Sequence, residues 1–116
     1  MKNILMIATG GTIACVKSEN GLVPNIKGED IINLVPELKN ICSITTMEIM
    51  NIDSSNLSPN NWIKIIETIE KYYNDYDGFV ITHGTDTMAY TSSYLSNAIE
   101  NINKPIILTG SQLSIE

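Results

Sequence analysis

The sequence predicts an open α/β fold, three layers deep, with a mostly parallel sheet between helices. Short, continuously apolar runs at Ile4–Ala8, Phe79–Ile81 and Ile106–Leu108 have the composition of strands covered on both faces. Between them lie stretches with helical spacing, so strand and helix alternate along the chain. Each run also ends abruptly on glycine and hydroxyl residues, as strands do where the backbone turns out of a sheet.

In chain order, Ile4–Ala8 forms the first strand and is stopped by Gly10 and Gly11. A stretch containing Gly and Pro, from Lys17 to Gly28, reads as a loop. Glu29–Leu34 reads as a short helix ended by Pro36. Ile44–Ile52, rich in Ile, Thr and Met, is the second strand and runs into Asp53-Ser54-Ser55. Ser58 then caps a helix whose first position suits Pro59. Trp62, Ile65, Ile66, Ile69 and Tyr73 recur on one face of it. After a polar turn at Asp75–Asp77 comes the strand Phe79–Ile81. A third helix is expected from about Asp86 to Ile102, with Met88, Leu95, Ile99 and Ile102 on one face. Lys104-Pro105 introduces the last strand, Ile106–Leu108. This order predicts right-handed crossovers. The chain stops at Glu116, just past a strand, which predicts a sheet edge completed by further chain.

Composition narrows the function. The 116 residues carry seven lysines, no arginine and thirteen acidic residues, for a formal net charge of −6. Phosphate backbones are bound by clustered Lys and Arg, so neither nucleic acid nor an anionic membrane surface is an expected partner. With 43% hydrophobic and 17% charged residues, the chain suits one globular domain rather than disorder. Cys15 and Cys42 are too few for a disulfide framework and lie in no metal-ligand spacing, so buried reduced thiols are expected and no metal. Lys2 precedes only the short run Ile4–Ala8, which falls short of a secretory signal, and no stretch approaches a membrane span. A cytoplasmic location is expected.

The chemistry is expected at the strand ends. These carry Thr9-Gly10-Gly11-Thr12, Asp53-Ser54-Ser55, Thr82-His83-Gly84-Thr85-Asp86-Thr87 and Thr109-Gly110-Ser111-Gln112. In open α/β sheets, ligands bind outside the carboxyl ends of the strands, so all four segments should face one crevice. Gly, Ser, Thr and Asp are also simply the residues that turn a chain, and any one segment alone fits that plainer reading. The first segment matches neither the dinucleotide-binding pattern nor the P-loop. A hydroxyl nucleophile needs a base or a depressed pKa. Asp86 adjoins Thr85, and His83 lies two residues before it. Either His83 acts as a general base or it merely hydrogen-bonds its own loop.

Thr9-Gly10-Gly11-Thr12-Ile13-Ala14 and His83-Gly84-Thr85-Asp86-Thr87-Met88-Ala89-Tyr90-Thr91 resemble the two signature motifs of bacterial L-asparaginases. The similarity continues through Tyr76–Thr82 and Lys104–Gln112, and is strongest to the cytoplasmic, type I branch. The resemblance implies hydrolysis of the side-chain amide of L-asparagine to L-aspartate and ammonia, without metal or cofactor, in a homotetramer built from dimers. It implies Thr12 as the nucleophile that forms an acyl-enzyme. Thr85 and Asp86 belong to a second catalytic group, and Asp86 also holds the substrate's amino group. Asp53, Ser54 and Ser55 match the segment that binds the substrate's α-carboxylate and amino groups. His83 is left in a supporting role.

Three departures accompany the resemblance. Family members run to nearly three times this length, and the lysine completing the group with Thr85 and Asp86 lies beyond Glu116. Residues 1–116 are therefore expected to be a partial N-terminal α/β domain, without the C-terminal domain and inactive alone. Leu22 stands where many members carry a tyrosine paired with the nucleophile, and Ser114 where the type I pattern has proline. Two alternatives remain. One is a non-catalytic remnant that binds amino acid or assembles with longer subunits. The other is the related subunit of a tRNA-dependent amidotransferase, which normally carries an extra N-terminal domain, whereas here the first strand follows Met1 directly.

Overall fold

The structure, a computed structural model, describes residues 1–11, 15–18, 21–24 and 28–113. Strand β1 (Asn3–Ala8) is followed by β2 (Cys15–Ser18), β3 (Gly21–Pro24), helix α1 (Gly28–Leu34) and β4 (Ser43–Glu48). Then come α2 (Pro59–Tyr72), β5 (Gly78–Thr82), α3 (Met88–Ala98) and β6 (Ile106–Thr109). Four strands form one sheet in the order β4-β1-β5-β6, and every pairing in it is parallel. The expected α/β fold is therefore present.

The apolar runs alternate across this sheet as a strand's period of two requires. Leu5 and Ile7 of β1, with Phe79 and Ile81 of β5, face one side and pack with Ile65 and Ile69 of α2 and with Leu95 and Ile99. Met6 faces the other side, where it meets Ile31 and Ile32 of α1, flanked by Ile44 and Val80. The sheet is thus the middle of three layers. The stripe expected on α2 is the buried one: Ile65 and Ile69 are fully buried, and Trp62, Ile66 and Tyr73 pack around them. At the start of this helix the Ser58 N–H and hydroxyl both donate to Asn61 Oδ1, at 2.8 and 3.0 Å.

Three local expectations are corrected, and a fourth, the helix ended by Pro36, is met and extended. Part of the expected loop after Lys17 is a hairpin, because β2 and β3 pair antiparallel with Cys15 opposite Pro24 and Ser18 opposite Gly21. Pro36 ends α1 but also opens a 3-10 helix, Pro36–Asn40, where its missing N–H is no loss. The second strand stops at Glu48 rather than Ile52, once its pairing with Ala8 of β1 is used up. Helix α3 is shorter at both ends. Ile99 already has extended backbone and Asn101 takes a φ of 57°, a left-handed turn that Asn tolerates, which leaves Ile102 exposed. Lys104 then secures the return to β6, its ammonium donating to the carbonyls of Tyr73 and Tyr76 beyond the end of α2.

The strand order places the chemistry. From β1 the chain moves outward to β4, then crosses back over β1 to β5, so the carboxyl ends of β1 and β5 flank a topological switch point. Two backbones meet there with no room for a side chain. Gly11 has a φ of +92°, and a Cβ on it would lie 2.5 Å from the Gly84 nitrogen. Gly11→Ala therefore combines a disfavoured backbone conformation with overpacking against main chain, each of which costs about 1–3 kcal/mol. Urea denaturation should show a loss of at least about 2 kcal/mol. An unchanged midpoint would mean that the two strand ends are not in contact.

Candidate active site

Each of the four strand-end segments is anchored to its neighbours by hydrogen bonds or close backbone contacts. At the end of β1, the Thr9 N–H and hydroxyl both donate to the Thr82 carbonyl, at 3.2 and 2.6 Å. The Thr9 carbonyl accepts from Ile52 N–H, at 3.1 Å, which brings in the segment after β4. The His83 N–H donates to the Thr109 carbonyl at 2.9 Å, extending the parallel ladder into the fourth segment. Apart from the Thr9 hydroxyl, the groups in these three contacts are main chain, so the sheet itself sets this part of the crevice floor.

The segment after β4 turns through a 3-10 helix, Ser54–Asn56, capped by Asp53, whose carboxylate accepts from the Ser55 N–H at 3.0 Å. The Ser55 hydroxyl donates to the same carboxylate oxygen, also at 3.0 Å. Asp53 and Ser55 are exposed. Ser54 is buried, and its hydroxyl has no hydrogen-bond partner among the described residues. A buried hydroxyl without a partner carries an uncompensated desolvation cost, which a polar ligand would relieve. Ser54 lies directly on the segment after β5: a Cβ on Gly84 would sit 2.6 Å from Ser54 Oγ. The Thr87 hydroxyl donates to the Ser54 carbonyl at 2.9 Å and locks the two segments together at the start of α3.

Thr85 is half-buried, and its hydroxyl accepts a 2.9 Å hydrogen bond from Gln112 Nε2. Asp86, next to it, is exposed. Of the candidate residues, the structure thus brings Asp53, Ser54, Ser55, Thr85 and Asp86 to one edge of the sheet. Thr12 lies outside the described residues, although Gly11, which precedes it, sits directly on Gly84. Among the described residues, no group of three or more His, Cys, Asp or Glu side chains is placed to hold a metal ion.

His83 is not positioned as a base. It is fully buried, and both ring nitrogens are occupied: Nδ1 by the Gly84 carbonyl at 2.6 Å and Nε2 by the Thr91 hydroxyl at 2.8 Å. A carbonyl only accepts, so Nδ1 carries the proton and Nε2 accepts. Of the two roles left open by the sequence, the geometry selects the loop-bonding one. Trp62 and Thr91, which extend this contact, are not recognisable as site residues from the sequence. Trp62 has the spacing of a core position and Thr91 only closes a motif, and nothing in either pattern signals a link between them. Thr87 and Gln112 stand inside the strand-end segments, but their partners are set by tertiary contact.

A sequence model of the family described as asparaginase, N-terminal, matches residues 3–116. The chain is 45% identical over 119 residues to L-asparaginase 1 of Escherichia coli strain K12, covering 98% of this chain and 35% of that protein. The solved thermostable L-asparaginase from Thermococcus kodakarensis superposes with a TM-score of 0.87 at 43% identity, over 97% of this chain and 35% of that one. A glutamyl-tRNA(Gln) amidotransferase subunit of Methanopyrus kandleri is 41% identical over 119 residues, covering 98% of this chain and 26% of that protein. The chain belongs to the asparaginase family, as a match to its N-terminal region. It spans about a third of the length of the L-asparaginases it matches.

Burial holds the His83 pKa below its ordinary value of 6.5, against a smaller opposing effect of the hydrogen bond to Gly84. The unfolded chain therefore binds a proton on this residue at a pH where the folded chain does not. Stability contributed by neutral His83 is complete above about pH 6.5 and falls as pH drops from there toward the lowered folded value. Denaturant midpoints should decline between about pH 7.5 and pH 5.5, and His83→Asn should flatten that slope. An identical slope in the variant would show that His83 titrates alike in both states.

Proposed function

We propose that the protein containing this chain hydrolyses the side-chain amide of L-asparagine to L-aspartate and ammonia. The observation that carries this reading is the locking of Asp53-Ser54-Ser55 to Gly84-Thr85-Asp86-Thr87 at a switch point, with an unpartnered hydroxyl on Ser54 between them. Thr12 is the nucleophile. Its oxygen adds to the amide carbon, the C–N bond breaks with transfer of a proton to the leaving nitrogen, and an acyl-enzyme ester remains. Water then cleaves that ester, releasing L-aspartate and restoring the Thr12 hydroxyl. Backbone N–H groups of the glycine-rich turns face the oxygen on which negative charge develops.

Asp86 pairs with the substrate's ammonium, and the segment Asp53-Ser54-Ser55 takes its α-carboxylate and amino groups. Thr85, held by Gln112, belongs to the second catalytic group. In this reading residues 1–116 are a partial N-terminal domain, consistent with coverage of about a third of the matching asparaginases. Turnover then needs the lysine carried by the remaining portion. A homo-oligomer and a cytoplasmic location follow from the same type I resemblance, and no helix among the described residues is long and apolar enough to cross a membrane. The second reading, a component of a tRNA-dependent amidotransferase, is favoured by the 41% identity to the Methanopyrus kandleri protein. Ammonia release that depends on a charged tRNA would select it.

The isolated 116-residue chain should release no more ammonia from L-asparagine than its Thr85→Ala variant. Release that this substitution abolishes would mean that no residue beyond Glu116 is required. In the longer protein, Thr12→Ala should remove turnover while binding stays measurable, and retained turnover would contradict the nucleophile assignment. Asp86→Ala should weaken L-aspartate binding, because the ligand's ammonium loses its charge partner. Calorimetry showing unchanged affinity would remove Asp86 from the site.

A further inference from the structure

Three side chains from three elements form one directed hydrogen-bond chain behind the candidate site. Trp62 of α2 donates its indole N–H to the Thr91 hydroxyl of α3 at 2.7 Å. The Thr91 hydroxyl meets His83 Nε2 at 2.8 Å, and His83 Nδ1 meets the Gly84 carbonyl at 2.6 Å. Both ends are fixed by chemistry, since an indole N–H only donates and a carbonyl only accepts. The one neutral arrangement that satisfies every group has Thr91 donating to Nε2 and Nδ1–H donating to Gly84. Thr91 and His83 are both fully buried, and the Trp62 ring is braced against Tyr94 at a centroid distance of 4.9 Å.

The chain ends on a peptide unit rather than on a side chain. The Gly84 carbonyl and the Thr85 N–H belong to the same planar trans peptide, so they point in opposite directions. Holding the carbonyl inward against the buried imidazole turns the Thr85 N–H away from it. We propose that Trp62, Thr91 and His83 are positioning residues that set the orientation of the Gly84–Thr85 peptide, and so of Thr85 at the reaction centre. This role rests on the reading of Thr85 and Asp86 as reaction-centre residues. It adds a connection from two helices of the core to the strand end, independent of the sheet ladder.

The 116-residue chain has one histidine and one tryptophan, so their side-chain NMR signals need no assignment. In the 15N-labelled chain, His83 should show the neutral Nδ1–H tautomer and the Trp62 indole proton should exchange slowly. Thr91→Val keeps the shape but removes the hydroxyl. It should mix the tautomers, speed exchange of the indole proton and shift the Thr85 amide resonance. Thr91→Ser restores the hydroxyl and should restore all three signals, which separates the hydrogen bonds from packing. An Nε2–H tautomer in the unaltered chain, or a Thr85 amide unmoved by Thr91→Val, would overturn the proposal. In the longer protein, Thr91→Val should lower kcat by up to about 100-fold with KM nearly unchanged, the effect of misplacing a reacting group. The NMR signatures together with an absence of amide hydrolysis would contradict the functional reading while leaving the positioning chain in place.

Discussion

The close approach of two main chains, Gly11 against Gly84, is the constraint on which the rest of this structure depends. A parallel sheet holds neighbouring strands about 4.8 Å apart. Where β1 and β5 end, their chains must either splay apart or pass each other without side chains. They pass, because Gly11 adopts a left-handed φ and presents no Cβ to Gly84. The result is a narrow junction at the switch point, where the backbones leaving β1 and β5 meet.

Polar groups around the junction are used in two ways. Several beneath it are bonded: the Thr9 hydroxyl donates to the Thr82 carbonyl, His83 bonds Gly84 and Thr91, and Thr91 bonds Trp62, while the buried Thr82 hydroxyl has no partner among the described residues. Bonding in a buried setting makes these contacts rigid, because breaking any one strands a buried donor or acceptor. The groups facing the crevice are less committed. Ser54 has no partner among the described residues, and Asp86 is exposed. A rigid floor under unsatisfied groups is the arrangement a preorganised polar site requires.

Much of this was legible in the sequence because it depends on local pattern. The apolar runs and the stripe from Trp62 to Tyr73 have a period or composition that points to one role, and the glycine-rich strand ends gain theirs from recurring together. The segment between Lys17 and Gly28 misled, since Gly21 and Pro24 look like loop residues although they belong to a paired strand. The reading of α3 runs too far because Ile99 and Ile102 continue a helical spacing that the backbone abandons at Ile99. Long-range pairings such as Trp62 with Thr91, or Thr87 with Ser54, leave no trace in periodicity. They arise only when α2 and α3 lie side by side on the sheet. Spacing put His83 beside Thr85 and the motif resemblance left it in a supporting role, but only its buried, doubly bonded ring shows why a base role is unavailable.

A crystal structure of the protein with L-aspartate bound tests the central claim most directly. The ligand is predicted at the Gly11–Gly84 junction, with its carboxylate on Ser54, its ammonium on Asp86, and its side chain toward the glycine-rich turns. L-Aspartate bound elsewhere on the sheet, or a junction in which Gly11 and Gly84 stand apart, would contradict it.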